Sequence, residues 1–250
     1  MAKYIGLVFV GCLLIAQSVE AETKNTRQFG IGLGLFLMRS KDNLASPFTY
    51  NGDGKGWLIK YRAQNAKRRH HISLMWDTGL LTSSLTRGHN HRVELTRIQV
   101  RYAYHRSFRS DSSGRLRLHW GVVQQAFIHF RRQFYLQSGR EYFGEFVGSV
   151  QPSIALHFEW TDKSSLYYDL SVPALVFLWR HTYGMGESGD FDTTSLHQFL
   201  SVEHNLVWTH HLSNRWSVQI QYWGQFYRYT EPRRVQIGVD QLSGLINWRF

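Results

Sequence analysis

Three groups of residues have the types and spacings from which chemistry can be built. His105-Arg106-Ser107 sets an imidazole and a hydroxyl on one face of an extended chain, the minimum for a serine activated by a general base. Asp190-Phe191-Asp192, with His197 following, offers paired carboxylates for activating water. His89-Asn90-His91 and the doublets His70-His71 and His210-His211 supply imidazoles suited to zinc or copper. No spacing fixes a third ligand for them, so no metal site is assigned, and no cofactor is expected.

The elements that must position these residues have a period of two. Counting back from the terminal Phe250, Trp248, Ile246, Gly244 and Leu242 share one face, while Arg249, Asn247, Ser243 and Gln241 share the other. Such a strand is apolar on one side, wet on the other, and ends on an aromatic. It resembles the C-terminal segment by which bacterial outer-membrane β-barrels are recognised, and the resemblance implies a partner in the barrel assembly machinery that reads Phe250.

The same alternation recurs along the chain. Phe29, Ile31, Leu33, Leu35 and Leu37 oppose Gly30, Gly32 and Gly34; Phe146, Val150, Pro152, Ile154, Leu156, Phe158 and Trp160 oppose Glu145, Gln151, Ser153, His157 and Glu159. No helix produces that period. About ten such segments follow one another. Tight turns at Asn65 to Arg68, Ser110 to Gly114, Asp162 to Ser164 and Ser213-Asn214 alternate with longer connections at Arg39 to Lys55, Tyr135 to Glu145 and Tyr183 to Ser195. The predicted fold is all-β, a transmembrane antiparallel up-and-down barrel of about ten strands. A seventh strand is expected to keep Leu166, Tyr168, Leu170, Val172, Ala174, Val176 and Leu178 on its lipid side. His204 falls between the lipid-facing Val202 and Leu206, which suggests a β-bulge there. The assignment gathers Trp120, Phe158, Trp160, Trp208, Trp216, Trp248 and Phe250 at the periplasmic end and Trp57, Phe130, Phe146 and Phe226 at the other, as two aromatic girdles. The competing architecture is a soluble barrel with its apolar face inward.

Composition agrees with export. Lys3, the apolar run Tyr4 to Ala16 and the small-residue site Val19-Glu20-Ala21 read as a signal peptide over residues 1–21, leaving 22–250 as the barrel domain. The one cysteine, Cys12, lies in that leader. With a mean hydropathy of −0.34, no later run reaches the roughly 20 apolar residues of a membrane helix.

The net charge of +11 has an address other than nucleic acid. Arg39, Lys41, Arg87, Arg92, Arg131, Arg132, Arg140, Arg180, Arg228, Arg233 and Arg234 map near the outer rim, where guanidinium pairs with lipopolysaccharide phosphate. Facing inward, Arg101, His105, Arg117, His119, His129, His157, Glu159, Asp169 and Glu203 are expected to pair as a polar network filling a narrow lumen.

Two resemblances bear on catalysis. His105-x-Ser107 is similar to an element of outer-membrane phospholipase A and the barrel lipid A deacylases, although Phe108 stands where asparagine would extend the match. Asp190-x-Asp192 resembles the Asp-x-Asp element of omptin proteases, ten-stranded barrels that bind lipopolysaccharide; their accompanying Asp-x-His pair is absent. The expectation is a monomeric, non-enzymatic outer-membrane barrel of a Gram-negative bacterium, in contact with outer-membrane lipid and lipopolysaccharide. Its role is surface-binding, structural or that of a narrow, porin-like pore. An outer-membrane barrel hydrolase of the deacylase or protease kind is the alternative.

Overall fold

A strand can cross lipid only if both rows of its backbone hydrogen-bonding groups find partners, so a sheet in a membrane must close on itself. The computed structural model describes residues 26–42, 49–65, 67–83, 92–135, 139–180, 190–194, 198–230 and 234–250. Its strands are β1 (Thr26–Asp42), β2 (Thr49–Gln64), β3 (Arg68–Ser83), β4 (Arg92–Ser110), β5 (Leu116–Tyr135), β6 (Gly139–Thr161), β7 (Ser164–Ser171), β8 (Leu175–Arg180), β9 (Asp190–Thr194), β10 (Phe199–His211), β11 (Trp216–Tyr229) and β12 (Val235–Arg249). Each pairs antiparallel with its neighbours. β7 and β8 run end to end along β6 as one stave, and β9 and β10 make the next, so the wall has ten staves. It closes where β1 meets β12, in unbroken register from Gln28↔Arg249 to Asp42↔Val235.

Period two decides which side each residue faces. Phe29, Ile31, Leu33, Leu35 and Leu37 are all exposed on the outside, and Leu242, Ile246 and Trp248 continue the belt across the seam. Eight residue rises of roughly 3.3 Å, tilted about 40°, cover about 20 Å of the ~25 Å apolar band such barrels present. Trp57 and Trp76 stand opposite each other across β2 and β3 near one edge of the belt. Trp216 and Trp248 do so across β11 and β12 near the other, where Trp248 also packs on Phe250 with ring centroids 5.0 Å apart.

That second edge carries the four tight turns, each held by a side-chain oxygen at its start. Asn65 Oδ1 accepts from the amides of Lys67 and Arg68, Thr161 Oγ1 from those of Lys163 and Ser164, and Ser213 Oγ from those of Arg215 and Trp216. In the fourth, Asp111 Oδ1 accepts from the Leu116 amide at 3.0 Å, and Gly114 takes the left-handed φ of 70° that closes the loop. The Ser113 hydroxyl, followed by the Leu116 amide, holds the Asp111 carboxyl below the usual carboxylate range.

Three expectations about the wall are corrected. Arg39 to Asp42 and Thr49 to Lys55 are strand, not loop, and β5 and β6 continue to Tyr135 and from Gly139, so the wall rises beyond the apolar belt. The seventh stave does not keep one parity. Ser153 pairs with Ser171 but Val150 pairs with Leu175, so one extra residue enters at 172–174. Val176 and Leu178 therefore turn inward, and Leu175 faces out. Pro173, with no N–H to give the ladder, sits in that break. Finally, β10 has no bulge at His204, which pairs with Gly224 in uninterrupted register.

Glycine matters most along the seam. A Cβ at Gly34 would collide with Ser243 Oγ and lie 2.9 Å from Gln241 Nε2, so a larger side chain there must displace two that fill the inner face beside the seam. On the outer face at Gly244, a Cβ meets nothing within 4 Å. Gly34→Val is therefore expected to destabilise the folded barrel by about 1–3 kcal/mol or more through overpacking, whereas Gly244→Ala leaves it within about 0.5 kcal/mol of wild type. Unfolding in urea in detergent micelles, read by heat-modifiable gel migration, measures both; equal stability of the two variants would refute the seam assignment.

Candidate functional site

The lumen is filled in layers. Nearest the turns, Arg101 is the hub: Nε donates to Glu203 Oε1 at 2.5 Å and Nη2 to Asp169 Oδ1. Asp169 Oδ2 also accepts from Asn205 Nδ2 at 2.9 Å, and Asn205 Oδ1 accepts from Gln221 Nε2 at 2.7 Å. β4, β7, β10 and β11 are thus tied across the barrel axis. At the turn-side mouth Arg117 pairs with Glu159 at 2.9 Å, and His157 lies 4.0 Å from the same carboxylate. His119 is buried on the inner face.

Arg97 sits above the hub. It donates to Asp77 through Nε and Nη2 and to Gln241 Oε1 at 3.0 Å, while its guanidinium lies 4.8 Å from the Trp223 ring. Beyond it the inner face turns apolar. Phe36, Met38, Leu58, Leu81, Phe127, Phe199, Trp223, Tyr227, Tyr229, Val235, Ile237 and Val239 form one buried cluster, in which the Phe199 ring lies against both Tyr227 and Tyr229, at 5.6 and 5.8 Å. A polar layer lies against it: Arg131 pairs with Glu145 at 3.2 Å, and the Tyr229 hydroxyl donates to Glu145 at 3.1 Å.

This geometry relocates two of the rim arginines. Arg131 and Arg180 are buried inside, at 3% and 4% exposure, Arg180 with its guanidinium 5.3 Å from the Tyr229 ring. Arg131 follows Phe130 by one residue and so must face the other way; Arg180 is turned in by the register change at 172–174. Arg39, Lys41, Arg92 and Arg234 are exposed on the outside, Arg228 is half-buried, and Arg132 pairs with Glu94 at 3.4 Å. Arg87 and Arg233 lie outside the described residues. Arg140 is on β6, but its side chain is not described.

His105 and Ser107 are not brought together. His105 is fully buried, with Nε2 3.0 Å from Ser153 Oγ and Nδ1 3.1 Å from the Tyr167 hydroxyl, so its serine neighbour is Ser153 on β6 rather than Ser107. The Ser153 contact spans 48 residues and no spacing rule finds it. Asp190 and Asp192 belong to strand β9, not a loop, where they pair in register with Arg180 and Leu178; His197 is not described. Each histidine doublet splits across the wall: His70 faces out, with Nδ1 2.9 Å from the Tyr102 hydroxyl, and His71 faces in. His210 likewise faces out against Ser164 Oγ at 2.8 Å. Period two prevents adjacent histidines from sharing an ion, and among the described residues no group of three His, Cys, Asp or Glu could hold a metal. His89 and His91 are not described.

A closed antiparallel sheet with lipid-type side chains outside and a filled polar and aromatic lumen is a β-barrel of the outer-membrane class. No family model matches the chain, and no curated protein does. Among solved structures it is similar to the translocator domain of the autotransporter NalP from Neisseria meningitidis, at 9% identity and a TM-score of 0.51, covering 100% of this chain and 97% of that one. It is also similar to the outer membrane protease OmpT from Escherichia coli, at 8% identity and a TM-score of 0.53, covering 90% and 96%. At these identities the likeness is one of fold alone.

The Arg101 hub carries a direct test. Arg101→Met leaves Asp169 and Glu203 buried without their cation and is expected to cost about 3–5 kcal/mol. Adding Asp169→Asn and Glu203→Gln to the same chain removes the stranded charges and should restore most of that loss. Urea unfolding midpoints of the two variants decide it: a triple variant no more stable than Arg101→Met would mean that the network is not what holds this end of the lumen.

Proposed function

We propose that this chain is a sealed, monomeric protein of the Gram-negative outer membrane, delivered by a leader over residues 1–21, held in lipopolysaccharide by its basic outer rim, and acting through its exposed surface rather than by conducting solutes. The observation that supports this reading is the filled lumen. An apolar plug around Trp223, Phe36 and Phe127 lies above ion pairs centred on Arg97 and Arg101, so a hydrated solute has no continuous wet path along the axis. The end with tight turns and both termini is taken as periplasmic, and the Phe250 terminus is the segment offered to the assembly machinery.

The rim supports the lipid half of the proposal. Arg39, Lys41 and Arg228 surround Gly238 and Gln236 on adjoining strands β1, β11 and β12, just above Leu37 and Phe226. No Cβ fills the outer surface at Gly238, where a bulky phosphorylated sugar can lie close to the wall. Cations at this height meet the phosphates of the outer leaflet.

In planar bilayers the purified protein is expected to show no discrete openings; stable single-channel steps would overturn the sealed-lumen reading. Converting Arg39, Lys41, Arg92 and Arg228 together to glutamine removes cations worth roughly 1 kcal/mol each near an anionic surface. Lipopolysaccharide that co-purifies with the barrel should fall by at least about tenfold. Unchanged content would remove the rim from the proposal.

A further inference from the structure

The turn-side end of the lumen holds more buried positive charge than its carboxylates match. Arg101 engages both Asp169 and Glu203. Lys60, Arg62 and Arg69 are each less than a tenth exposed and, among the described residues, have no carboxylate within ion-pair distance. Arg69 is partly accommodated by the Tyr167 ring, 3.7 Å from its guanidinium. Lys60 is not: its Nζ is enclosed and has no hydrogen-bond partner, and neither has Nε2 of the neighbouring His71.

The backbone concentrates these groups deliberately close. Arg62 stands directly opposite His71 across β2 and β3, with Gln28 on its other side, and Lys60 is two residues along the same inner face. Neither partner offers Arg62 a negative charge, and an uncompensated buried cation is costly. Nothing in the closure of the barrel requires three cations here. An anion beside them would offset their cost.

Space for one is present. A cavity of about 170 Å³ has Arg62 and Gln28 at its inner end, and behind them lies a void of about 10 Å³, room for about one water, lined by Lys60, Arg62, His71, Gln219 and Asn247. The larger cavity reaches Glu159, Asp162 and Ser164 beside the turn at Asp162 and Lys163, so it is entered from the end taken as periplasmic. It is polar, and its volume is several times the share of one water molecule in the liquid, roughly 30 Å³.

We propose that this vestibule binds a small oxyanion, a free carboxylate or phosphate, in its larger cavity, with the Arg62 guanidinium and Gln28 at the inner end as donors and Lys60, one water's width behind them, adding positive charge. The ammonium supplies a point charge at the back of the site and the guanidinium a planar fork at its neck, a combination suited to an oxygen-bearing anion with two or more acceptors. The large apolar plug above keeps the ligand from passing further, so the vestibule is a pocket and not a channel entrance. Glu159 and Asp162 at the mouth disfavour polyanions and favour a ligand small enough to pass between them.

Calorimetric titration of the folded barrel in an uncharged detergent, with inorganic phosphate and separately with succinate against sodium chloride of equal ionic strength, tests this. Saturable binding of at least one is expected, weakened about tenfold or more by Lys60→Met and by Arg62→Gln, largely retained by Lys60→Arg, and unaffected by Arg106→Gln on the exposed outer face. The bound anion should also raise the thermal midpoint of wild type and leave that of Lys60→Met unmoved. Lys60→Met removes a buried cation without a partner, so it should fold and, without added anion, unfold no earlier than wild type. No saturable heat with either anion, or equal affinity in wild type and Lys60→Met, would overturn the assignment.

Discussion

The whole molecule depends on the pairing of its first strand with its last. A sheet with an unpaired edge would present a row of bare N–H and C=O groups to hydrocarbon, at several kcal/mol for each. β1 and β12 remove that edge from Gln28 to Asp42, and Gly30, Gly32 and Gly34 leave room on the inner face for Asn247, Leu245 and Ser243 opposite them. Once the ends are joined, the alternation of side chains has only one arrangement that leaves no charge in lipid. Leu35 and Leu242 go out, and Phe36 and Gln241 go in.

Closure also creates an interior too narrow to stay empty, and the chain fills it in two ways that follow from height. Within the membrane the outer face must be apolar, so the inner face receives the polar residues, which then pair with one another: Asp77 with Arg97, and Asp169 and Glu203 with Arg101. Above the membrane the constraint on the outer face lapses. Arg39, Lys41 and Asp53 face out, while Met38, Tyr50, Leu81, Val93, Val235 and Ile237 form a conventional core inside. One sheet is therefore inside-out near the turns and right-side-in near the loops. Arg97, bonded to Asp77 directly opposite it and with its guanidinium 4.8 Å from the Trp223 ring, is the join between the two regimes.

That inversion explains what could be read directly from the chain and what could not. The ten staves, the tight turns and the two aromatic girdles were legible because they depend on local period and on residues such as Asn65 and Asp111 that make turns by themselves. The upper wall was not, because a search for outward grease stops at Leu37 and Trp57, where the apolar residues change sides and Asn51-Gly52-Asp53-Gly54 looks like a turn. Arg131 could have been placed, since Phe130 already fixed its parity. Arg180 could not, because a single extra residue at 172–174 reverses everything beyond it and periodicity does not register an insertion until the partner strand is known. His204 shows the opposite case. A polar residue on the lipid side suggested a bulge, yet the strand is regular, and the ring lies over Gly224 beside Tyr222 at 5.3 Å, whose hydroxyl donates to Asp240 at 2.6 Å. A short polar ladder just below the rim satisfies itself without altering the register.

The side-chain pairings inside the lumen lay furthest from sequence reasoning, because a barrel brings together inward residues from staves that are remote in the chain. Asp77 and Gln241 are 164 residues apart, and Arg101 and Glu203 are 102 apart. Parity alone predicts that such residues meet, but not which of them find partners, and the difference has physical content. A network that formed only to fill space would be balanced, since an uncompensated ion in a low-dielectric interior is costlier than the leucine that could replace it. Around Arg97 the charges do balance. Around Lys60 and Arg62 they do not, and the imbalance coincides with the two polar cavities and with the open end of the barrel. An anion entering from that end would share the excess charge, so the uneven distribution of lumenal cations distinguishes the balanced part of the interior from the part to which the proposed ligand is assigned.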